Sequence, residues 1–311
     1  MIDHDVPLRE IPPPPRWGVR IDEAAVVRLA ERLAPHRFVP ASYDYEGTPD
    51  VDGEEWGRFV LLGVAIIWRL WPLPGERMWG VEVGGRIVED ASGVWTCFAR
   101  HPRSLDLGYV AGGGLDASFF AGVGVLQDVP RRLERLAQVA GALLDVHGGS
   151  VVGMIESVGG DATALRDLLV TGVPGYVDRP RSSAGVLAFD KLANLAVTML
   201  AARLPVVGTE RFPVFPDYML PRHLRHEGIL VYDADLAEAV DTGRLLEPES
   251  EPEMAIRWAT IRAAEQLRVQ LNTLGNPVTT PELDYWLWSE AVIGPRAAEM
   301  GRHHLCITEA Y

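Results

Sequence analysis

The chain has 311 residues, of which 48% are hydrophobic and 23% charged, a balance that is typical of a globular protein. Its formal net charge of −14 argues against binding to polymeric nucleic acid, which normally requires a basic surface, whereas a small anionic ligand needs only a few local cations. Residues 1–9 lack the apolar run of a signal peptide, and the most apolar stretch, residues 59–73, is too short to span a bilayer. We therefore expect a soluble, cytoplasmic protein that does not enter a membrane.

The first third of the sequence predicts mixed structure. The predicted elements are an extended N-terminal arm over residues 1–20, a helix over 22–33, an acidic loop over 41–55 and a β-hairpin over 79–89. Four prolines at residues 12–15 indicate the arm. Asp22 is placed to cap the helix, and Gly84-Gly85 interrupts two short alternating runs, which is typical of a hairpin turn.

From residue 122 onward the pattern becomes helical. Helices are predicted over residues 131–146, 161–170, 186–204, 235–242, 253–271 and 281–291. The linkers between them are short, and no change in composition separates two bodies. The sequence therefore predicts one mainly α domain over residues 1–311, with a small β-ribbon in its N-terminal third.

The predicted helix over residues 186–204 is nearly all apolar, which indicates a buried element. Lys191, Asn194 and Thr198 interrupt it at spacings that place them on one face. Lys191 is the only lysine in the chain, beside 28 arginines. A lysine retained against such a bias indicates a need for a compact ammonium group, and composition slightly favours this over the alternative, that one lysine was left by chance.

Residues 212–221 contain three prolines, three aromatic residues and a single carboxylate, Asp217. A carboxylate held in a rigid apolar segment is desolvated, which raises its pKa and favours a catalytic role. The alternative, which position alone favours, is that Asp217 caps a helix that begins near Pro221.

Further candidates lie near the C-terminus. Asp284, Tyr285 and Trp288 are neighbours on the predicted helix over residues 281–291. Aromatic residues at this spacing more often belong to a core than to a ligand site. The histidines at residues 223 and 226, and at 303 and 304, have no thiolate or glutamate at metal-binding spacing, so we predict no metal site.

The order and spacing of several motifs resemble those of one family, the queuosine salvage proteins, or queuosine 5'-phosphate N-glycosylases. Residues 215–221, FPDYMLP, resemble the family's F-x-D-Y-R-[LV]-P, and residues 284–288, DYWLW, resemble its D-Y-x-L-W. Residues 189–194, FDKLAN, resemble its F-Y-K-R-A-Q. The resemblance is good over residues 148–311 and weak before them.

This resemblance implies a helical body similar to DNA glycosylases and an enzyme that cleaves the N-glycosidic bond of queuosine 5'-phosphate. The released base is queuine, and neither a metal nor another cofactor is expected. The family's catalytic aspartate corresponds to Asp217 and its lysine to Lys191. Asp217 is expected to stabilise an oxocarbenium-like sugar and to orient the attacking water. Lys191 either binds the 5'-phosphate or keeps Asp217 ionised.

The remaining candidates are expected to contact the substrate. They are Trp71, Trp95, Asn194, Tyr218, Arg222, Asp284 and Tyr285. The sequence departs from the family pattern at Val64 and Ile67, where Asp and Asn are usual, and at Met219 and Arg222, where Arg and Gln are usual. If those polar groups touch the substrate in other members, this chain recognises it differently.

Other functions are compatible with the sequence. A non-catalytic protein that holds a nucleoside or base predicts binding without turnover. A glycosylase for another modified nucleotide or for nucleic acid predicts the same chemistry on a different substrate. A helical interaction protein, in which Lys191 and Asp217 form only a structural ion pair, predicts that Lys191→Met changes stability far more than any activity.

Overall fold

The computed structural model describes residues 18–183 and 185–311. Residues 1–17 of the N-terminal arm, which is predicted over residues 1–20, therefore lie outside the described residues. The described residues form twelve α-helices, three short 3-10 helices and eight short strands, so the prediction of a mainly α fold is confirmed. The likeness to DNA glycosylases stays a prediction.

The elements follow one another along the chain in a mixed order at first and mostly as helices later. In chain order they are β1 (Val19–Ile21), α1 (Glu23–Leu33), α2 (Gly53–Val64), β2 (Gly80–Val83), β3 (Arg86–Glu89), α3 (Asp90–Arg100), α4 (Leu107–Ala111), α5 (Val129–His147), α6 (Val151–Ser157), α7 (Ala162–Gly172), β4 (Arg181–Ser182), β5 (Gly185–Val186), α8 (Lys191–Ala201), α9 (Met219–His226), β6 (Leu230–Tyr232), α10 (Ala234–Thr242), β7 (Leu245–Leu246), α11 (Glu251–Thr273), α12 (Thr280–Val292) and β8 (Leu305–Cys306). The 3-10 helices are Ala117–Phe120, Thr209–Arg211 and Ala297–Glu299.

Side-chain caps fix several helix ends where the sequence predicts them. Asp22 accepts a hydrogen bond from the amide of Ala25 at 2.9 Å, and α1 begins at the next residue. Asp161 accepts one from the amide of Ala164 at 2.9 Å, and α7 begins directly after it. Gly148 ends α5 with a φ of 59°, a left-handed conformation that glycine adopts without steric cost.

The predicted β-ribbon is confirmed. Strands β2 and β3 pair antiparallel, with Val81 opposite Val88. Gly84 and Gly85 form the turn with φ values of 56° and 82°. A two-residue turn with positive φ at both positions matches the twist of the strands it joins. In the described residues every sheet has two strands.

The predicted central helix is shorter than expected, because α8 begins at Lys191 and not at residue 186. The amides of Phe189 and Asp190 donate instead to the carbonyl of Asp178, at 3.0 and 3.1 Å. Asp190 has a φ of 44°, outside the right-handed helical region, so the helical ladder cannot extend through it. Its carboxylate is buried and forms an ion pair with Arg179 at 2.7 Å.

Two helices of the first third, α2 and α3, are missing from the sequence prediction. Helix α2 begins at Gly53, so the acidic loop predicted over residues 41–55 is too long. Most of its residues are buried, and it therefore lacks the continuous polar face by which an amphipathic helix is found in a sequence.

Contacts divide the chain into two compact units, each assembled from separate segments. Within the described residues, the first unit comprises residues 18–41, 178–183, 185–191 and 210–308, and the second comprises Ser42–Val177, Leu192–Thr209 and Glu309–Tyr311. The prediction that residues 1–311 form a single domain stays a prediction, because such a unit is defined by contacts and not by independent folding.

The first unit is built around α11, a helix of 23 residues. Helices α1, α9 and α12 pack against it, as does the antiparallel pair β1–β6. Leu29, Leu224, Trp258 and Leu283 are among the buried side chains of this core. Because α11 is buried over most of its surface, any charged group on it requires partners inside the unit.

The second unit has an aromatic core formed by side chains of α2 and α3. Phe59 lies edge-on to Trp95, with ring centroids 5.2 Å apart, and edge-on to Phe98 at 5.7 Å. Such edge-to-face pairs add to the stabilisation from apolar burial. The indole Nε1 of Trp56 donates to the carbonyl of Met199 at 3.3 Å, which ties α8 to α2.

Among residues 18–183 and 185–311, no single helix combines the length and apolar composition needed to cross a membrane. Helices α5 and α6 meet that test together, with a bend of 53°, on length and composition alone.

We expect Gly63→Ala in α2 to destabilise the protein by about 1–3 kcal/mol, because the added Cβ would lie 2.6 Å from the ring of Trp95. The matched control is Gly141→Ala in α5. It meets no atom within 4 Å and should gain about 0.5–1 kcal/mol from helix propensity. Urea denaturation followed by circular dichroism measures both. Equal effects of the two substitutions would contradict the packing of α2 against Trp95.

Candidate active site

Asp217 lies in the segment that leads into α9. Its Oδ1 accepts hydrogen bonds from the amides of Met219 at 2.7 Å and Leu220 at 3.1 Å. Helix α9 begins two residues before Pro221, with Tyr218 at the N-cap position. Asp217 lies one residue before that position, and its carboxylate binds amides of the first turn, much as the capping alternative expects. The helix dipole favours negative charge at this end. Both hydrogen bonds are accepted by Oδ1, so the contact with the first turn of α9 occupies only one of the two oxygens.

A second buried carboxyl group, Asp284, is fastened to the same segment. Helix α12 carries it, and its Oδ1 accepts a hydrogen bond from the amide of Phe215 at 2.6 Å. Asp217 and Asp284 are each only 8% exposed. Because Phe215 precedes Asp217 by two residues, this bond ties α12 to the segment that carries the first carboxyl group.

Lys191, the first residue of α8, supplies positive charge to both carboxyl groups. The residue is buried, and its charge acts on Asp217 and on Asp284. Three residues that the sequence analysis singles out separately are thus brought together inside the first unit. They come from three segments that are far apart in the sequence.

Burial raises the pKa of both carboxyl groups. For Asp284 desolvation is the main cause; the amide of Phe215 and the charge of Lys191 oppose it, Asp217 adds to it, and the pKa rises to about 8. For Asp217 desolvation also raises the pKa, while Lys191 and two amides of the first turn of α9 lower it. Asp217 has more groups that favour the ionised form. A single negative charge shared by this pair therefore belongs mainly on Asp217.

A buried ion pair between Asp178 and Arg257 is absent from the sequence predictions. Arg257 in α11 donates to both carboxylate oxygens of Asp178, and its Nε donates to the carbonyl of Pro216 at 3.1 Å. Asp178 also accepts the amide of Lys191 at 3.4 Å. One sequence pattern indicates the pair, because Glu253 and Arg257 are charged neighbours four residues apart in a helix whose other buried residues are almost all apolar.

Two adjacent histidines, His303 and His304, also belong to this unit. Desolvation, assisted by neighbouring positive charges, lowers the pKa of His303 to about 4 and that of His304 to about 3, so both rings are neutral at neutral pH. The ring of His303 lies 4.9 Å from that of Tyr218. In the part of the chain that the structure describes, no group of three or more His, Cys, Asp or Glu side chains is arranged to hold a metal ion.

Three predicted substrate contacts, Tyr218, Tyr285 and Arg222, also belong to the first unit. Tyr218 is buried beside His303, and Tyr285 is half-buried on α12. Arg222 donates through all three guanidinium nitrogens to backbone carbonyls in the last turn of α12 and after it, namely those of Ala291, Ala297, Met300 and Gly301. Arg222 thus has a structural role that the sequence did not indicate, and the predicted substrate contacts of all three residues stay predictions.

The other predicted contacts, Trp71, Trp95 and Asn194, belong to the second unit. Trp95 is part of the aromatic core, Trp71 is buried, and Asn194 is buried in α8. Val64 and Ile67, where the sequence departs from the family pattern, are also buried in this unit. Contact of these residues with a substrate stays a prediction.

The fold and the cluster together define a class, that of mainly α proteins with two buried carboxyl groups beside a lysine. The chain belongs to the queuosine salvage protein family, whose sequence profile matches residues 124–309. The matched range contains Lys191, Asp217 and Asp284, so the resemblance carried by the sequence motifs is confirmed.

Curated relatives support the same family. A protein of Sphaerobacter thermophilus named queuosine 5'-phosphate N-glycosylase/hydrolase is 27% identical over 288 residues, which cover 88% of this chain and 87% of the relative. Proteins with the same name from Mus musculus and Bos taurus are each 27% identical, and their matches cover 88% of this chain and 88% of each relative.

We expect Asp284 to make the stability of the protein fall as the pH rises toward about 8. The folded state keeps a proton on Asp284 that the unfolded chain releases near its usual pKa of about 4. The stabilisation is therefore complete below pH 4 and is lost as the pH rises through about 8. Asp284→Asn removes this proton but keeps an oxygen for Phe215.

The free energy of unfolding of the wild type should therefore fall by up to about 1.4 kcal/mol per pH unit as the pH rises from about 4 to about 8. The Asp284→Asn variant should lack this fall. Urea denaturation at half-unit pH steps measures it. Asp241→Asn is the control, because Arg225 lowers the pKa of Asp241 and its titration ends well below neutral pH. Parallel stability curves for the wild type and Asp284→Asn would show that Asp284 is ionised in the folded protein.

Proposed function

We propose that this protein hydrolyses the N-glycosidic bond of queuosine 5'-phosphate and releases the free base queuine. The observation that carries the proposal is the buried cluster of Lys191, Asp217 and Asp284, which lies inside the range matched by the family profile. The name of the curated relatives, which align over most of their length, supports the choice of substrate. In the reaction water adds its hydroxyl to the sugar, and its other proton goes to the base. The net charge of −14 favours a free nucleotide over polymeric nucleic acid as the substrate.

Asp217 is the group we assign to the reacting sugar. Cleavage of an N-glycosidic bond places positive charge on the ribose ring, and a carboxylate shielded from water stabilises that charge more strongly than one in solution. The two amides of α9 hold Oδ1 in place before the substrate arrives. That arrangement supports a role for Oδ2 in contacting the sugar or orienting the attacking water.

Asp284 has a different role in this proposal. With a pKa of about 8 it is mostly protonated at neutral pH, so it adds little negative charge beside Asp217. A protonated carboxyl group is a hydrogen-bond donor. The base of queuosine is a 7-deazaguanine without N7, so help for its departure must reach another ring atom, and we assign Asp284 as the candidate donor.

Lys191 is assigned to keeping Asp217 ionised. Its charge is the largest of the influences that lower the pKa of Asp217 against the effect of burial. The competing role, binding of the 5'-phosphate, predicts instead that loss of Lys191 raises KM for the nucleotide only.

We expect Asp217→Asn to reduce kcat by about 100-fold or more, because the charge that stabilises the sugar cation is lost. Asparagine keeps an oxygen for the two amides of α9, so folding should be retained. The measurement is mass spectrometry of free queuine after purified protein is mixed with queuosine 5'-phosphate.

The matched control is Asp161→Asn, which alters a capping aspartate of α7 in the same way. Its kcat should equal that of the wild type. A wild-type rate for Asp217→Asn would rule out the mechanism. Tight binding without release by the wild type would instead indicate a non-catalytic nucleoside-binding protein, and neither binding nor release would mean that this chain acts on another ligand.

We expect Lys191→Met to move the acidic limb of the pH profile of kcat/KM to higher pH. Loss of the positive charge raises the pKa of Asp217, so a higher pH is needed to ionise it. The profile is recorded with queuosine 5'-phosphate and with queuosine. An unshifted profile, together with a rise in KM for the nucleotide only, would assign Lys191 to the phosphate instead.

A further inference from the structure

Arg257 is a buried guanidinium at the middle of the first unit. The residue is 1% exposed, and the ring of Phe189 lies 4.0 Å from its guanidinium carbon. Its two terminal nitrogens donate to the two carboxylate oxygens of Asp178, while Nε donates to the carbonyl of Pro216. One planar group thus contacts two segments of chain that are distant in sequence.

Asp178 joins the same guanidinium to the start of α8. Its Oδ2 accepts the amide of Lys191, and its carbonyl accepts the amides of Phe189 and Asp190. Three successive backbone amides, those of residues 189–191, therefore donate to Asp178. The backbone amide of Lys191 is one of the groups that Asp178 holds.

The two anchored peptide groups belong to the two residues assigned to chemistry. The carbonyl of Pro216 is part of the peptide bond that leads into Asp217, and the amide held by Asp178 is that of Lys191 itself. A displacement of Arg257 would therefore move the backbone of both residues. These hydrogen bonds end on backbone groups, so the ion pair acts on Lys191 and Asp217 through position.

A buried ion pair is an expensive way to obtain stability alone. Removing two charges from water costs several kcal/mol per ion, and well-packed apolar residues often stabilise a core equally well. What an arginine–carboxylate pair offers in addition is direction, because the planar guanidinium fork fixes the angles of its hydrogen bonds. Here those angles determine where the Pro216 carbonyl and the start of α8 lie.

We propose that Asp178 and Arg257 form a positioning pair that sets the distance between Lys191 and Asp217 and so keeps the cluster in its reactive geometry. The proposal rests on the proposed function for its kinetic consequences, but the positioning itself is a property of the folded protein. Neither residue is a catalytic residue in this account, because neither is assigned a contact with the substrate.

Arg257→Lys tests the pair, because lysine keeps the charge but has a single nitrogen in place of the fork. We expect kcat for queuosine 5'-phosphate to fall about 10- to 100-fold as the two reacting groups lose alignment. KM should change by less than about threefold, since the substrate contacts are kept. Rates are divided by the fraction of folded protein from thermal denaturation.

The matched control is Arg135→Lys. Arg135 is another buried arginine with a carboxylate partner, Glu309, and both belong to the second unit. This substitution should lower the melting temperature but leave kcat per folded molecule unchanged. A drop in kcat of the same size in both variants would show a general effect of losing a buried ion pair.

Asp178→Asn provides a second variant in case Arg257→Lys folds poorly. Asparagine keeps an oxygen for the amide of Lys191 but loses the bidentate ion pair, so kcat should again fall with KM nearly constant. The double variant Asp178→Asn/Arg257→Lys should be little worse than the more impaired single variant, because both changes break the same link.

Hydrogen exchange of the ligand-free protein tests the positioning without the reaction. In Arg257→Lys we expect faster exchange in residues 186–192 and 212–221 than in the rest of the chain, and no such local change in Arg135→Lys. If the wild type releases no queuine, the proposed function fails, while the exchange result still decides whether the pair fixes these two segments.

Three results would overturn the proposal. They are an unchanged kcat per folded molecule in Arg257→Lys and Asp178→Asn, a rise in exchange spread evenly over the chain, and failure of both variants to fold. Each would identify Asp178 and Arg257 as an ion pair that only stabilises the fold.

Discussion

Burial of two carboxyl groups beside one lysine is the constraint around which the first unit is organised. An ionised carboxylate in an apolar interior loses its hydration, so the fold must supply the missing interactions. Asp217 receives two amides of α9 and the charge of Lys191, and Asp284 receives the amide of Phe215. These compensating groups come from separate segments, so the electrostatic balance of the cluster exists only in the completed fold.

Backbone groups supply much of this compensation, which helps to explain how the cluster tolerates a departure from the family pattern. Residue 219 is methionine where the resemblance leads one to expect arginine. The contact that Asp217 makes there is with the amide, which every residue other than proline carries. The methionine therefore keeps the hydrogen bond to Asp217. Only contacts made by the side chain of residue 219 can differ from those of an arginine.

The helices of the first unit connect the cluster to its core. Helix α11 packs against α1, α9 and α12 and carries Arg257, while α12 carries Asp284. Apolar packing thus sets where the helices lie, and a few directional hydrogen bonds transmit that placement to the segment around Asp217. A cluster held in place in this way requires little rearrangement when charge develops beside it, and this is the main advantage of preorganisation.

Several features follow from the sequence alone because they depend on local chemistry. The caps Asp22 and Asp161, the glycine turn at Gly84-Gly85 and the end of α5 at Gly148 each involve residues within one turn of each other. Asp217 and Lys191 were recognisable by composition and by motif, as an isolated carboxylate in a proline-rich segment and as the only lysine of the chain.

What the sequence could not determine are the contacts between distant segments. The partnership of Asp178 with Arg257 spans 79 residues, and that of Phe215 with Asp284 spans 69. No local periodicity encodes such pairs, since each depends on how helices pack. The start of α8 at Lys191 was missed for the same reason: the apolar pattern extends from residue 186, but the carbonyl of Asp178 captures the amides before the helix. The sequence by itself determined which residues are candidates for the chemistry, and the tertiary structure decided which of them meet, because burial and long-range hydrogen bonds arise only when the chain has folded.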